Sequence, residues 1–347
     1  MNFLISAAGT GGHVFPALEF SKECISKDHK VVWIGTKFGI ENQIMPSNIK
    51  FLNIPMSGFR GKSLVLKFNA IFRLIQSVCK SIYFLQKNEI DYVVCFGGYV
   101  TLPVGISAWV CRKPLFLHEQ NSVLGTSNRL LKIFAKKVFL GFAINEPMEK
   151  KMMLVGNPIK KFAGDDSLNS NHQSLKIYIT GGSQGSEYIN HNIPKALNDL
   201  EIPLKVKHQT GIGKTHGILD LYSNKIDAEI VEFYDSPQDS MLWSDFIISR
   251  AGALSLSEAV SLNRGLLMIP LLISIDNHQF LNAQNIVKQG MGLLHEETES
   301  FEQLSNKLKE IIDQELHLKW SKKNNNNTYH FSAAEKMLSS ILKLEKK

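Results

Sequence analysis

Residues able to do acid–base chemistry beside a bound anion occur first at Gly9–His13, directly after an apolar segment. Glycine lets the backbone approach a ligand closely, and a helix that begins at such a turn offers free N–H groups to an anion. A histidine near its ordinary pKa can take a proton from a hydroxyl at neutral pH, which makes His13 a candidate general base. A capping or surface histidine is the structural alternative.

Two further glycine-rich turns follow apolar segments, at Phe96–Tyr99 and at Gly181–Gly185. Open α/β sheets bind their ligands at the carboxyl ends of strands. Three such turns, divided between two halves of the chain, predict a ligand-binding cleft lined by backbone.

The run Ala251–Ser255 brings backbone N–H groups to a predicted helix start, which suits a diphosphate. Glu258 has two interpretations. Ser255-x-x-Glu258 has the spacing of a capping box, and a carboxylate near a helix start can instead accept hydrogen bonds from ribose hydroxyls. The spacing alone favours the capping box.

His118–Asn121 closes another apolar segment and predicts a strand end that points into a cleft, with an ordinary capped loop as the alternative. The stretch 64–87 is amphipathic at helical period, with an apolar face wider than a single packing contact requires. We expect partial insertion of this helix into an anionic membrane surface, although burial in the core is the more common fate of such a face.

The elements that must position these residues repeat in outline. Residues 2–13 and 175–186 each form an apolar strand, a glycine-rich turn and a helix start, and alternating strands and helices follow both. This order predicts an α/β fold of two Rossmann-like parallel-sheet domains facing an interdomain cleft. Their bounds are predicted at 1–158 and 159–330, with a last amphipathic helix at 332–344 that crosses back onto the first domain.

Length and charge agree with this organisation. The 347 residues exceed the ~250–300 at which one core stops growing. Residues 1–160 contain 20 Lys and Arg against 9 Asp and Glu, a net charge of +11, whereas the remainder has a net charge of −4. The basic half indicates an anionic partner, lipid or nucleic acid, and the lack of a nucleic-acid-binding module disfavours nucleic acid. The missing G-x-G-x-x-G disfavours a nicotinamide dehydrogenase.

Six motifs in one order carry a resemblance to a known family: GTGGHVFPAL, GGYVTLP, LHEQNS, VGNPI, GGSQG and SRAGALSLSE. Together they resemble bacterial glycosyltransferases of family 28 over nearly the whole chain. The resemblance implies a GT-B fold and an inverting transfer of N-acetylglucosamine from UDP-N-acetylglucosamine. The acceptor it implies is lipid I, undecaprenyl-pyrophosphoryl-N-acetylmuramyl-pentapeptide, and the product is lipid II for peptidoglycan synthesis. A sugar-nucleotide epimerase of the same fold is the alternative.

The resemblance also implies residue roles. His13 becomes the expected general base, with Glu119 as second candidate, and Glu258 becomes a ribose ligand. The donor site is expected to include Thr10, Gly11, Gly12, Asn121, Lys160, Ser183, Phe233, Tyr234, Ala253, Leu254, Ser255, Leu256, Ser257, Glu258 and Gln279. Lys160 stands where the family usually has arginine, and it keeps the charge but loses the bidentate fork. Gly97, Gly98 and Tyr99 are expected on the acceptor side.

Location and cofactors complete these expectations. We expect a peripheral protein at the cytoplasmic face of the bacterial inner membrane, where other cell-wall enzymes would be further partners and nucleic acid would not. Contact with the membrane is predicted for Phe68, Phe72, Arg73, Lys80 and Leu85. No catalytic metal is expected, because the sequence has no D-x-D and helix N-termini can stabilise the diphosphate leaving group.

Overall fold

The computed structural model describes residues 1–37, 39–56, 64–161, 174–323 and 329–344, with the backbone alone for 64–70. The chain divides into two compact units, residues 1–160 with 330–347 and residues 161–329. Both are built on parallel sheets, which confirms the predicted fold class.

The first unit has, within its described residues, a seven-stranded sheet in the order β3-β2-β1-β4-β5-β6-β7. Its strands are β1 Asn2–Ser6, β2 Lys30–Gly35, β3 Lys50–Asn53, β4 Tyr92–Cys95, β5 Leu115–Glu119, β6 Lys137–Leu140 and β7 Met152–Leu154. The helices between them are α1 Gly11–Ser26, α2 Glu41–Ile44, α3 Leu64–Lys87, α4 Thr101–Val110 and α5 Thr126–Leu131.

Helices cover both faces of this sheet, because successive side chains of a strand point to opposite faces. Leu4 and Leu117 pack into one core with Leu85 of α3 and Leu131 of α5. The neighbouring Phe3, Ile5 and Phe116 pack into a second core on the other face, together with Phe20 of α1. This double burial explains the continuous apolar runs of the central strands.

The second unit has, among its described residues, a six-stranded sheet in the order β10-β9-β8-β11-β12-β13. Its strands are β8 Leu175–Thr180, β9 Leu204–Gln209, β10 Ile226–Val231, β11 Phe246–Ser249, β12 Gly265–Met268 and β13 Gly292–Leu294. Its helices are α6 Glu187–Asn198, α7 Pro237–Trp243, α8 Ala253–Ser261, α9 His278–Lys288, α10 Phe301–Asp313 and α11 Leu316–Lys322.

The last helix, α12 Ala333–Leu342, lies in the first unit and packs against α1. Its buried Met337 and Ile341 complete the core that contains Phe3 and Phe20. The segment before it is fixed as well, because the backbone N–H of Asn157 donates to Nδ1 of the buried His330 at 2.8 Å.

Candidate active site

Three of the predicted site segments meet at one edge of the first sheet. Gly9–His13 follows β1, Phe96–Tyr99 follows β4, and the His118–Asn121 motif ends β5. These three strands are direct neighbours and run parallel, so their carboxyl ends lie side by side. The structure therefore brings together His13, Gly97, Gly98, Tyr99, Glu119 and Asn121.

Glycine is required where these loops approach one another. Gly97 has φ +102°, and a Cβ there would lie 2.6 Å from Nδ1 of His13. Gly98 has φ +80°, and a Cβ there would lie 2.5 Å from the carbonyl oxygen of Ala8. Both positions have a positive φ, and both lie too close to a neighbouring atom for a residue that carries a Cβ. His13 is consequently packed directly against the β4 turn.

His13 itself is the third residue of α1 and is partly exposed. Its Nδ1 lies 3.0 Å from Oε1 of the buried Gln120. The other ring nitrogen, Nε2, has no hydrogen bond among the contacts of the described residues. His13 can thus present one nitrogen to a substrate while the protein holds the other.

Glu119 is engaged with its own loop. Its Oε1 accepts from the backbone and side-chain nitrogens of Asn121 at 3.2 and 3.1 Å. Its Oε2 accepts from Gly125 N at 2.8 Å and from Asn128 Nδ2 at 2.9 Å. With 2% of its surface exposed, this carboxylate organises the turn after β5.

Glu41 is a site residue that the sequence interpretation missed. Its fully buried carboxylate accepts from Gly9 N at 3.2 Å and from Thr36 N and Oγ1 at 2.8 and 2.9 Å. A buried carboxylate is stable only when hydrogen bonds replace its water, and one of them here comes from the glycine-rich loop. The sequence signal that could have identified Glu41 is an acidic residue shortly after the end of β2, the strand next to β1.

In the second unit, the Gly181–Gly185 turn joins β8 to α6. Gly185 has φ +68°, and a Cβ there would overlap the carbonyl oxygen of Thr210, so this turn packs closely on the end of β9. Ser183 is exposed at the tip of the turn. Helix α6 is capped by Ser186, whose side chain accepts from Ile189 N at 3.2 Å.

The start of α8 corrects two sequence expectations. The N-cap is Gly252 without a side-chain cap bond, so the capping box predicted for Ser255 and Glu258 is wrong, since both lie inside the helix. Leu256 and Ser257 are also wrong as donor-binding side chains. Both are fully buried, and Ser257 Oγ donates to Ala253 O at 2.8 Å.

Glu258 is thereby free of a capping role. Its Oε1 accepts from Gln238 Nε2 at 3.1 Å, and burial raises the pKa of the carboxyl to about 7. Leu254 and Ser255 are partly exposed on the first turn of the same helix, whereas Ala253 is 8% exposed. The end of β11 therefore combines a helix N-terminus with a carboxylate, which together suit a phosphorylated sugar.

The remaining predicted donor residues lie apart in the sequence. Phe233 and Tyr234 follow β10, with Phe233 49% exposed and Tyr234 N donating to Gln209 Oε1 at 3.2 Å. Gln279 is the second residue of α9, after β12, and its Oε1 accepts from Leu271 N at 2.9 Å. Thr10, Gly11, Gly12 and Lys160 belong to the first unit, where Thr10 is the N-cap of α1 and Lys160 is exposed.

The predicted membrane contacts divide into three groups. Phe72, Arg73 and Lys80 are exposed on α3, with Phe72 at 68%. Leu85 is 0% exposed, so its prediction is wrong, because helical spacing turns it toward the sheet. The side chain of Phe68 lies outside the described residues.

Neighbouring helices extend this exposed apolar surface. Helix α4 packs between α3 and α5, and the rings of Trp109 on α4 and Phe134 beyond α5 lie 5.0 Å apart. Large exposed apolar side chains on these helices and the segment after α5 are Ile71, Phe72, Ile75, Tyr83, Trp109, Val110, Leu130, Ile133 and Phe134. Arg112 and Arg129 are exposed nearby in sequence. We call the exposed apolar side chains in this list, without the two arginines, the apolar surface.

No described helix is long and apolar enough to cross a membrane. No group of three or more His, Cys, Asp or Glu side chains in the described ranges could hold a metal ion.

Family models match most of the chain. Residues 3–140 match the N-terminal domain of glycosyltransferase family 28, and residues 176–338 match its C-terminal domain. These ranges contain the turns after β1, β4 and β5 and the start of α8.

Similar proteins are found at nearly full length. One from Francisella philomiragia subsp. philomiragia is 33% identical over 98% of this chain and 96% of that protein. One from Nitrosococcus oceani is 35% identical over 85% of each. Both are named UDP-N-acetylglucosamine--N-acetylmuramyl-(pentapeptide) pyrophosphoryl-undecaprenol N-acetylglucosamine transferase. Among solved structures, MurG of Acinetobacter baumannii matches 99% of both chains with a TM-score of 0.83 and 28% identity.

Proposed function

The chain belongs to glycosyltransferase family 28, and from that membership we propose that it transfers N-acetylglucosamine from UDP-N-acetylglucosamine to lipid I. The single observation that carries this proposal is the near-full-length similarity to proteins named for this transfer. The new bond forms at the muramyl 4-hydroxyl with inversion, and the product is lipid II.

His13 accepts the proton of the acceptor hydroxyl in this mechanism. The hydroxyl oxygen attacks the anomeric carbon, the bond from that carbon to the diphosphate breaks, and UDP leaves with the electron pair. The partly exposed His13, beside the glycines of the β4 turn, supports this role. Glu119 is disfavoured as the base, because four donors already occupy its two oxygens.

The second unit holds the donor in this proposal. The first turn of α8 offers backbone N–H groups to the diphosphate, and Glu258 accepts hydrogen bonds from the ribose. The exposed Phe233 lies beside the uracil, with Tyr234, while Ser183 and Gln279 reach the phosphate and the sugar. The donor contacts expected for Thr10, Gly11, Gly12, Asn121 and Lys160 stay predictions from the sequence.

No catalytic metal takes part in the proposed reaction. The leaving group is a nucleoside diphosphate, whose developing charge must be stabilised. The sequence has no D-x-D to hold a metal, and the helix starts after β1, β8 and β11 supply the positive ends of dipoles.

Because lipid I carries an undecaprenyl chain, its use as the acceptor requires the protein to act at a membrane surface. We place the apolar surface against the anionic cytoplasmic face of the bacterial inner membrane, with the protein bound peripherally. Exposed aromatic and aliphatic side chains flanked by arginine have the composition of an interfacial contact. Other cell-wall enzymes would meet the protein there.

The decisive experiment supplies UDP-N-acetylglucosamine and a short-chain lipid I analogue and measures UDP release. We expect release only when both substrates are present, together with a disaccharide product of inverted configuration. Interconversion of the UDP-sugar without acceptor would overturn the transfer and indicate the epimerase.

A further inference from the structure

His13 stands at one end of a line of hydrogen bonds that runs through the first unit. Its Nδ1 lies 3.0 Å from Gln120 Oε1, and Gln120 Nε2 lies 2.8 Å from Phe96 O. The same Nε2 lies 3.0 Å from Nδ1 of His118, whose Nε2 lies 3.0 Å from Gly156 O. The line thus ends on backbone carbonyls at Phe96 and Gly156.

The direction of each hydrogen bond follows from those two carbonyls, because a carbonyl oxygen can only accept. Nε2 of His118 must donate to Gly156 O, which leaves its Nδ1 as an acceptor. Gln120 must turn its NH₂ group toward Phe96 O and His118 Nδ1, so its Oε1 faces His13. The opposite amide orientation would set two oxygens against each other.

We propose that Gln120 is a positioning residue that holds His13 in the tautomer with its hydrogen on Nδ1. The lone pair of Nε2 is then directed outward to receive the proton of the acceptor hydroxyl. This inference rests on the proposed function in that His13 is the base there. When Nε2 takes the proton, Gln120 Oε1 continues to accept from Nδ1–H of the imidazolium.

The surroundings keep this arrangement rigid. Gln120 is 1% exposed and His118 is 0% exposed. The ring of His118 packs on Phe96 with centroids 5.2 Å apart, and Asn157 Nδ2 donates to the backbone oxygen of Gln120 at 3.1 Å. Burial lowers the pKa of His118 to about 4, so this ring remains neutral and its tautomer remains single at the pH of the reaction.

The first test needs no substrate. In ¹⁵N-histidine-labelled protein, the ring nitrogen shifts should show Nδ1–H for His13 and Nε2–H for His118, with His13→Ala identifying the first signal. These are opposite tautomers in one molecule. An Nε2–H tautomer at His13 would overturn the proposal, whether or not the protein transfers a sugar.

The second test replaces Gln120 by methionine, which has a similar length but cannot accept the hydrogen bond strongly. In Gln120→Met we expect the His13 signals to move to a mixture of tautomers. The kcat should fall on the order of 10²-fold, with the KM for UDP-N-acetylglucosamine changed less than about 3-fold, because the lost alignment affects the proton transfer. Gln43→Met, at an exposed position of α2, is the matched control.

The outcomes separate the two claims. An unchanged His13 tautomer in folded Gln120→Met, or an unchanged kcat, would contradict a positioning role. If the unsubstituted protein transfers no sugar, the proposed function fails while the tautomer measurement still decides the role of Gln120.

Discussion

At the scale of single residues, two buried carboxylates of the first unit are engaged with the loops of the candidate site. Glu41 and Glu119 both accept backbone N–H groups of active-site loops. Their oxygens stabilise loop shape, because charge-assisted hydrogen bonds to backbone N–H groups fix a turn well. His13 remains as the group with a nitrogen available to a substrate.

Replacing His13 by alanine tests that conclusion. We expect His13→Ala to lower kcat by about 10²- to 10⁴-fold, the usual contribution of a general base, while UDP binding stays close to that of the unsubstituted protein. Turnover in the assay and UDP affinity by calorimetry measure the two effects. Near-normal turnover would remove His13 from the base role.

Glu258 predicts a pH effect on stability. Its folded pKa of about 7 is above the ordinary value of 4.5, so the folded state binds the proton more tightly than the unfolded state. The second unit should therefore lose stability as pH rises from about 4.5 to 7. Glu258→Gln should unfold at a higher temperature than the unsubstituted protein at pH 8, with a smaller difference at pH 5. An equal difference at both pH values would contradict this account.

At the scale of elements, strand ends and glycine turns determine where side chains meet. Gly97 and Gly217 both have positive φ, but only Gly97 would place a Cβ against another side chain, that of His13. A Cβ at Gly217 would meet no atom within 4 Å. The pair therefore separates backbone strain from contact with His13.

We expect Gly97→Ala to destabilise the protein by about 1 kcal/mol or more and to reduce turnover strongly, because the new methyl displaces the imidazole. Gly217→Ala should show the destabilisation with turnover kept. Thermal unfolding and the UDP-release assay make the comparison. Equal activity in the two variants would show that the approach of Gly97 to His13 is unimportant.

The apolar surface is also a property of elements. The triple variant Phe72→Ser, Ile75→Ser and Ile133→Ser should weaken binding to anionic vesicles by about 10-fold or more, because each side chain loses burial in lipid. Activity on a water-soluble acceptor should change little. Leu219→Ser with Phe301→Ser, at exposed positions of the second unit, is the control. Vesicle binding equal to the control would exclude the surface from membrane contact.

At the scale of the whole molecule, net charge is distributed unevenly between the two halves of the chain. Residues 1–160 have a net charge of +11 and the remaining residues −4, and the basic half contains the apolar surface. In the proposed reaction, helix N-termini stabilise the negative charge of the leaving diphosphate.

At the same scale, the proposed mechanism predicts turnover without a divalent metal. Turnover should survive excess EDTA within about 2-fold, since dipoles at helix starts stabilise the leaving group. Loss of activity in chelator with recovery on adding Mg²⁺ would overturn this prediction. Chelator added with matched ionic strength is the control.

Much of the fold could be predicted because its signals are local. Apolar runs before Gly9, Gly97 and Gly181, followed by amphipathic segments, specify strands, turns and helices within about ten residues of each turn. These local signals do not single out the edge strands β3, β7 and β13, whose pairing with β2, β6 and β12 is a tertiary contact.

The two-sheet α/β architecture, the glycine turns at strand ends and the family could all be predicted from the order of residues. Which side chains contact one another became known only from the folded chain. Glu41 reaches Gly9 across 32 residues, and Gln120 reaches His13 across 107. The tertiary structure also decided that Leu85 is core while Phe72 on the same helix is exposed, and that Glu258 is no capping residue. Such outcomes depend on packing between segments that are distant in the chain. Hydrophobic periodicity does not report which of these segments pack together.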